Sequence, residues 1–222
     1  GAFYFNNLHG DAEYIDMDES EDRSSGASIL FYTGGVNVSV YAYRNYAGVN
    51  GGAIYAYDTG NVYLSRKDSV VEFYYNTAVQ DGGAVYLEKA GDFKAENNVY
   101  FRYNVAGEYG GAVYMIDSEN SSIIFGSNVS FYGNGTGTDQ FGISQSTVQG
   151  GAMYVRNIGD IVMDYTAFTN NRATEYGGAV YLENIGDVTL SRTDFYSTYT
   201  SYWNENTSGG AMYIVNTRNS TV

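Results

Sequence analysis

One five-residue string governs what this chain can fold into. Gly-Gly-Ala, an apolar residue and Tyr occur together at Gly51 to Tyr55, Gly82 to Tyr86, Gly110 to Tyr114, Gly150 to Tyr154, Gly177 to Tyr181 and Gly209 to Tyr213. Nine residues after the first Gly comes a second mark, seen as Gly60-Asn61, Gly91-Asp92, Gly159-Asp160 and Gly186-Asp187. Six residues before a Gly pair stands the Asn of a Phe-x-x-Asn string, at Phe73 to Asn76, Phe101 to Asn104 and Phe168 to Asn171. Phe131 to Asn134 is a fourth copy, displaced by an insertion, and Asn45 keeps the offset although Ala42 replaces its Phe. A repeat of a few tens of residues is one supersecondary unit that buries its apolar face only by stacking on its neighbours.

Aligned on these marks, Ser25-Gly26-Ala27 reads as a degenerate unit, and Gly1-Ala2-Phe3-Tyr4 as an earlier one leading to Gly10-Asp11. That gives eight units. Extra residues collect between an Asn and the next Gly pair, at 135–149 and 199–208, and this marks one corner as a surface loop. Within a unit, positions four and six are apolar, as in Ile54 and Ala56, Val85 and Leu87, or Met153 and Val155. Such alternation is the signature of a strand with one inward face. A second strand gives Val36 and Val38, Val62 and Leu64, Ile161 and Met163, Val188 and Leu190, and a third ends in the Phe column. Three inward faces per unit predict a single all-β domain over 1–222, a right-handed parallel β-helix of about eight coils with three short strands each.

The composition fits that reading. The chain has no Pro, whose missing N–H would break a ladder paired on both sides. Phe73, Phe101, Phe131, Phe168 and Phe195 should stack in one buried column, and Asn45, Asn76, Asn104, Asn134 and Asn171 in a ladder that satisfies corner backbone groups; Thr198 breaks it. The absence of Cys removes disulfides and thiolate chemistry. A net charge of −14 argues against nucleic-acid or anionic-membrane partners, and no apolar run reaches the roughly 20 residues of a membrane helix. A chain starting at Gly rather than Met reads as processed or cut.

The paired Gly-Gly-Ala-(Ile/Val/Met) and Phe-x-x-Asn signatures resemble the repeats of chlamydial polymorphic outer-membrane proteins, over nearly the whole chain. The resemblance implies the β-helical passenger of a surface autotransporter acting as an adhesin. Similar repeats occur in extracellular proteins of algae and other protists. The chain departs from the family in having no recognisable translocator barrel and no Cys.

Candidate chemistry competes with structural roles. β-Helical lyases and hydrolases use carboxylate pairs, and Asp160 and Asp187 hold equivalent positions in successive coils. Each follows a Gly, and Asn61 and Asn219 fill the same slot, so a turn role is the stronger reading. The single histidine, His9, stands before Gly10-Asp11 and reads as a turn residue too. The oxygen-rich run Asp16, Asp18, Glu19, Glu21 and Asp22 is a weak Ca²⁺ candidate, against which a solvated acidic loop is preferred. No cofactor, catalytic residue or metal centre is assigned. Candidate glycosylation sequons stand at Asn37, Asn120, Asn128, Asn206 and Asn219; a sixth, Asn134, belongs to the ladder and should be buried.

Position five of each first strand should point outward. Tyr55, Tyr86, Tyr114, Tyr154, Tyr181 and Tyr213 are therefore expected to form a surface aromatic column, either sheltering the sheet or serving lateral association or carbohydrate contact. The combined reading is a non-enzymatic extracellular or cell-surface scaffold: a stalk, an adhesin passenger or a filament subunit. The alternatives are a polysaccharide-active β-helix enzyme and a glycan-binding module. Expected partners are further copies or a longer parent chain, joined end to end or laterally at strand-like ends such as Ser220-Thr221-Val222, and glycans or a host surface.

Overall fold

The strands wind into stacked coils because each inward residue finds the same kind of residue one coil away. The structure, a computed structural model, describes residues 3–6, 29–31, 40–65, 70–138, 142, 144–201 and 207–221. Its first column contains Phe3–Asn6, Ile54–Thr59, Val85–Ala90, Val113–Ser118, Met153–Ile158, the first half of Val180–Ser191, and Met212–Thr221. Ile29–Phe31, Val62–Ser65, Phe93–Glu96, Ile123–Phe125, Ile161–Asp164 and the second half of Val180–Ser191 form the next column. A third column runs through Val40–Tyr43, Val71–Tyr74, Val99–Arg102, Val129–Tyr132, Thr166–Thr169 and Asp194–Tyr196. Every pairing between coils is parallel, so this is an all-β parallel β-helix.

The motifs keep their register. Phe73, Phe101, Phe131, Phe168 and Phe195 stand opposite one another. Their rings stack at 4.7–4.9 Å, within 6° of parallel, and the first four are buried. Around them packs one continuous core of Ile54, Val85, Leu87, Val113, Met115, Val155 and their equivalents. Phe93 and Phe125 complete it from the second column, at coils whose second strand the sequence pattern leaves unassigned.

The number of coils is a correction. Phe3 pairs with Ile54, whereas Ile29 pairs with Val62 and Phe31 with Leu64. Ile29–Phe31 is thus the second strand of the coil that Phe3–Asn6 begins; Ser25-Gly26-Ala27, expected to open a unit of its own, lies outside the described residues. Among the described residues the first column accordingly has seven strands where eight units were expected, and the third has six, five turns from first to last. A short Ser-Gly-Ala string mimics the motif, but register is set by which apolar residues face the core, and a slip of one residue would turn the whole set outward. Val36 and Val38, expected in the second column, lie outside the described residues, and Ile29 and Phe31 hold that place in the ladder.

A fourth, shorter column also appears, past the Asn corner. It pairs Tyr46–Ala47, Thr77–Ala78 and Val105–Ala106, and separately Arg172–Ala173 with Tyr199–Thr200. The insertion between them is an antiparallel hairpin of Thr136–Thr138 and Ser144–Ser146. Chain continuity is restored by Thr147, whose N–H donates to the Gly135 carbonyl at 2.7 Å and whose hydroxyl donates to the Ala106 carbonyl at 2.9 Å. Gly135 and Thr147 to Gln149 therefore belong to the frame, with the hairpin inserted between them.

Two glycines at each corner are there for different reasons. Gly82 has φ +63°, and a Cβ there would lie 2.4 Å from the Val85 carbonyl oxygen. Gly83 needs no positive φ; a Cβ there would lie 2.1 Å from the Gly111 carbonyl oxygen in the next coil.

Candidate functional surface

Several polar side chains with catalytic capability join one coil to the next. Asp160 Oδ1 accepts the backbone N–H of Asp187 at 2.8 Å and the guanidinium of Arg218 at 3.0 Å. Asn61 Oδ1 accepts the N–H of Asp92 at 2.8 Å, and Asp92 in turn accepts that of Ser122 at 2.9 Å. The Gly-Asp position is thus a structural turn ladder, in which Asn serves as well as Asp because only an acceptor oxygen is needed. His9 and the acidic run Asp16, Asp18, Glu19, Glu21 and Asp22 lie outside the described residues. Among the described residues no group of three or more His, Asp or Glu is placed to hold a metal ion.

The Asn ladder is the tightest of these arrangements. Asn104 Oδ1 accepts both the backbone and side-chain N–H of Asn76 at 2.9 Å. Its own amide donates to Asn134 Oδ1 at 3.1 Å and to the Phe73 carbonyl at 3.0 Å. Asn134 repeats the pattern with Asn171 and the Phe101 carbonyl, and Asn45 joins the other end through Asn76 Oδ1 at 2.8 Å. Asn76, Asn104, Asn134 and Asn171 are fully buried, so each amide stays satisfied only in this register. A second ladder, not expected from the sequence motifs, runs along an exposed corner: Asn216 donates to Asn184, Asn184 to Asn157, and Asn157 to Asp117 at 2.7–3.1 Å. Its signal is a residue eight positions into each unit that adopts φ near +53°, as at Asp117, Asn157, Asn184 and Asn216.

The Tyr column stacks as expected but is not exposed as expected. Tyr55, Tyr86, Tyr114, Tyr154, Tyr181 and Tyr213 form an unbroken file with ring centroids 4.7–5.3 Å apart. The middle four are only 4–9% exposed. Tyr109 and Tyr176, from the segment entering the Gly pair, lie against the file, with Tyr109 4.9 Å from Tyr154 and Tyr176 4.9 Å from Tyr213. Burial pushes the Tyr154 phenol up to about 12 and raises Tyr86, Tyr114 and Tyr181 as well. The Glu88 carboxylate, 2.6 Å from the Tyr86 hydroxyl, adds to that rise. These rings form a second, smaller core and offer few free faces to a ligand.

Other tyrosines are exposed, several of them on the outer face of the third column. Tyr41, Tyr43 and Tyr196 are 51–70% exposed there. Tyr74, Tyr100 and Tyr132 share the face, and Tyr75 and Tyr103 stand at its corner. Within Phe-x-x-Asn the first x points outward from the strand, and the second takes a left-handed conformation. Arg44, Tyr75, Tyr103, Gly133, Asn170 and Ser197 occupy that second place at φ 51–65°. For bulky side chains this conformation is unusual. The Phe and Asn of the motif carry no sign of this face; its signal in the sequence is the pair of residues between them, Tyr74-Tyr75 and Arg102-Tyr103.

Asp81 is sensitive to pH near neutrality. Asp81 accepts the Tyr109 N–H at 3.2 Å, and burial, followed by the nearby Glu108 carboxylate, pushes its carboxyl up to about 7. An unfolded Asp titrates at about 3.9, so the native chain holds this proton more tightly between those values. The associated stability is complete below about pH 4 and is lost as pH rises to about 7. Asp81→Asn, which keeps an acceptor oxygen, is expected to raise stability at pH 8 by about 1–2 kcal/mol, after allowing for partial solvent screening. At pH 4 the change should be within about 0.5 kcal/mol. Urea unfolding at the two pH values checks this, and equal gains at both would show that the carboxylate charge is not the cause.

Of the sequons, Asn120 is exposed in a turn, whereas Asn128 is exposed but donates to Asn98 and to the Tyr100 hydroxyl. Asn134 is buried in the ladder, as expected. Asn37 and Asn206 lie outside the described residues, and Asn219 pairs through its backbone with Asp187.

Fold and surface together define a parallel β-solenoid repeat protein whose turn polar groups hold the coils together. Residues 165–183 match the Chlamydia polymorphic membrane protein repeat. That segment carries Phe168 to Asn171 and Gly177 to Tyr181, the two linked motifs at their fixed offset, on a β-helix consistent with such a repeat. No curated protein and no solved structure matches the chain.

Proposed function

We propose that this chain is a non-enzymatic extracellular or cell-surface scaffold that presents its third-column face for adhesion and extends by adding coils. The observation that carries the reading is the use of side chains. Asn, Asp and Gly at the corners are committed to coil-to-coil bonding, while tyrosines crowd one exposed sheet face. The match to a repeat of Chlamydia polymorphic membrane proteins supports a surface setting. A solenoid adds a coil with the same backbone bonds that join its existing ones, so a longer parent chain or a second copy is the natural end-to-end partner.

Glycan binding is the second reading, favoured by exposed Tyr41, Tyr43 and Tyr196, since aromatic rings pack against the apolar faces of sugars. The test is to measure the mass of residues 1–222 in solution across concentration, and adhesion of protein-coated beads to cells and to immobilised polysaccharides. Adhesion reduced at least ten-fold by replacing Tyr41, Tyr43 and Tyr196 with Ser supports the adhesive reading. Polysaccharide cleavage that disappears in Asp160→Asn would overturn the non-enzymatic one.

A further inference from the structure

Five tyrosines around one corner touch in an unbroken chain of rings. Tyr43 stacks on Tyr74 at 5.4 Å, Tyr74 meets Tyr75 edge-on at 4.4 Å, and Tyr103 meets Tyr132 edge-on at 5.3 Å. At the centre, Tyr75 and Tyr103 stack at 5.1 Å, only 15° from parallel. They hold equivalent places in successive coils, at φ 56° and 54°, so their side chains leave the corner in the same direction. Their backbones are pinned by the Tyr75 N–H donating to the Arg102 carbonyl at 3.1 Å and the Tyr103 N–H donating to the Tyr132 carbonyl at 2.9 Å. A Cβ at Gly133 would lie 2.8 Å from the Tyr103 ring, so that glycine leaves space for the ring to lie flat beside its partner. Tyr75 is 39% exposed, unlike the similarly stacked Tyr86, Tyr114, Tyr154 and Tyr181.

We propose that Tyr75 and Tyr103 are an oxidative cross-linking site, which ties two successive coils together through a dityrosine bond. The chain has no cysteine, so a disulfide cannot supply a staple. The oxidant is hydrogen peroxide acting through a haem peroxidase. Peroxide supplies two one-electron oxidations and is reduced to two waters. Each phenol gives up one electron and one proton to become a tyrosyl radical. The two radicals couple between ring carbons ortho to their oxygens, forming one carbon–carbon bond. Each of those carbons then releases its hydrogen as a proton, each ring oxygen is reprotonated, and aromaticity returns. The net change in the protein is the loss of two hydrogen atoms.

The stacked pair is suited to this because both rings offer their faces to each other and are held there by the frame, so coupling competes with escape of either radical. Tyr74 and Tyr75 meet edge to face, which does not bring both ortho carbons together, and Tyr43 and Tyr74 are further apart. The buried file has comparable ring spacing but no access to an external oxidant, and so serves as an internal control.

The test treats residues 1–222 at dilution with hydrogen peroxide and a haem peroxidase, isolates the monomer, and maps its tryptic peptides by mass spectrometry. The expected product joins the peptides 68–89 and 103–156, two hydrogens lighter than their sum, with fragmentation placing the bond at Tyr75 and Tyr103. Tyr103→Phe should lower its yield at least ten-fold, and Tyr114→Phe, in the buried file, should leave it unchanged. The cross-linked monomer should unfold at higher urea than the untreated one, because the bond closes a loop in the unfolded chain. A monomer with no such link, a link that survives Tyr103→Phe, or a link that leaves the urea midpoint where it was would overturn the proposal.

Discussion

Phe101→Ala is expected to destabilise the protein by about 3–5 kcal/mol, among the largest losses a single side-chain truncation can cause here. Phe101 is fully buried, with Phe73 stacked 4.9 Å away on one side and Phe131 4.7 Å away on the other. Removing the ring takes away its transfer free energy, opens a cavity and ends two stacking contacts. The cavity cannot close easily, because the neighbouring backbones are held at the coil spacing by paired strands on both sides. Phe195→Ala makes the comparison, since that ring is only half buried and has one stacking partner, Phe168, in the column. Its loss should be about 1–2 kcal/mol. Urea unfolding followed by far-UV circular dichroism measures both. A loss below about 1 kcal/mol for Phe101→Ala would contradict a buried, stacked Phe column.

Gly83→Ala should cost about 4 kcal/mol or more, although it adds one methyl group. The new carbon would lie 2.1 Å from the Gly111 carbonyl oxygen and 2.6 Å from the Val105 backbone. These are backbone atoms fixed by hydrogen bonds from Gly83 N–H to the Gly110 carbonyl and from Val105 N–H to the Asn76 carbonyl. No rotamer change relieves the clash, so two coils must separate at the corner. Gly210 holds the same place in its own coil, and a Cβ there meets nothing within 4 Å. Gly210→Ala should therefore stay within about 0.5 kcal/mol of the parent. The pair of variants separates close approach from backbone freedom, and similar losses in both would refute the steric account.

The motifs that were legible in the sequence are those whose demand repeats unchanged from coil to coil. Asn104 needs an Asn above and below, and Phe101 needs a Phe, so each column announces itself at a fixed offset from the Gly pair. Short strands were harder to read. Thr77–Ala78 and Val105–Ala106 are two residues long and give no alternation to detect. The first coil was misdivided for a related reason: Phe3 and Ile29 belong to one turn, but more than twenty residues separate their strands, and only the pairing of each with Ile54 and Val62 shows it.

The candidate surface was less legible than the frame. Alternation along Val85–Ala90 correctly turns Tyr86 away from the core, but it says nothing about what lies over that side. In the folded chain Tyr109 and Tyr176 return to cover the file, while among the described residues no comparable segment shields Tyr41, Tyr43 and Tyr196 to the same degree. The sequence by itself determined the coil: its inward residues, its two glycines and its ladders, all set by local conformation and by likeness between one coil and the next. Only the tertiary structure decided how many coils form and which tyrosines remain open to solvent. Exposure depends on segments brought together by winding, and a residue's position within its own repeat does not encode what another part of the coil will lay over it.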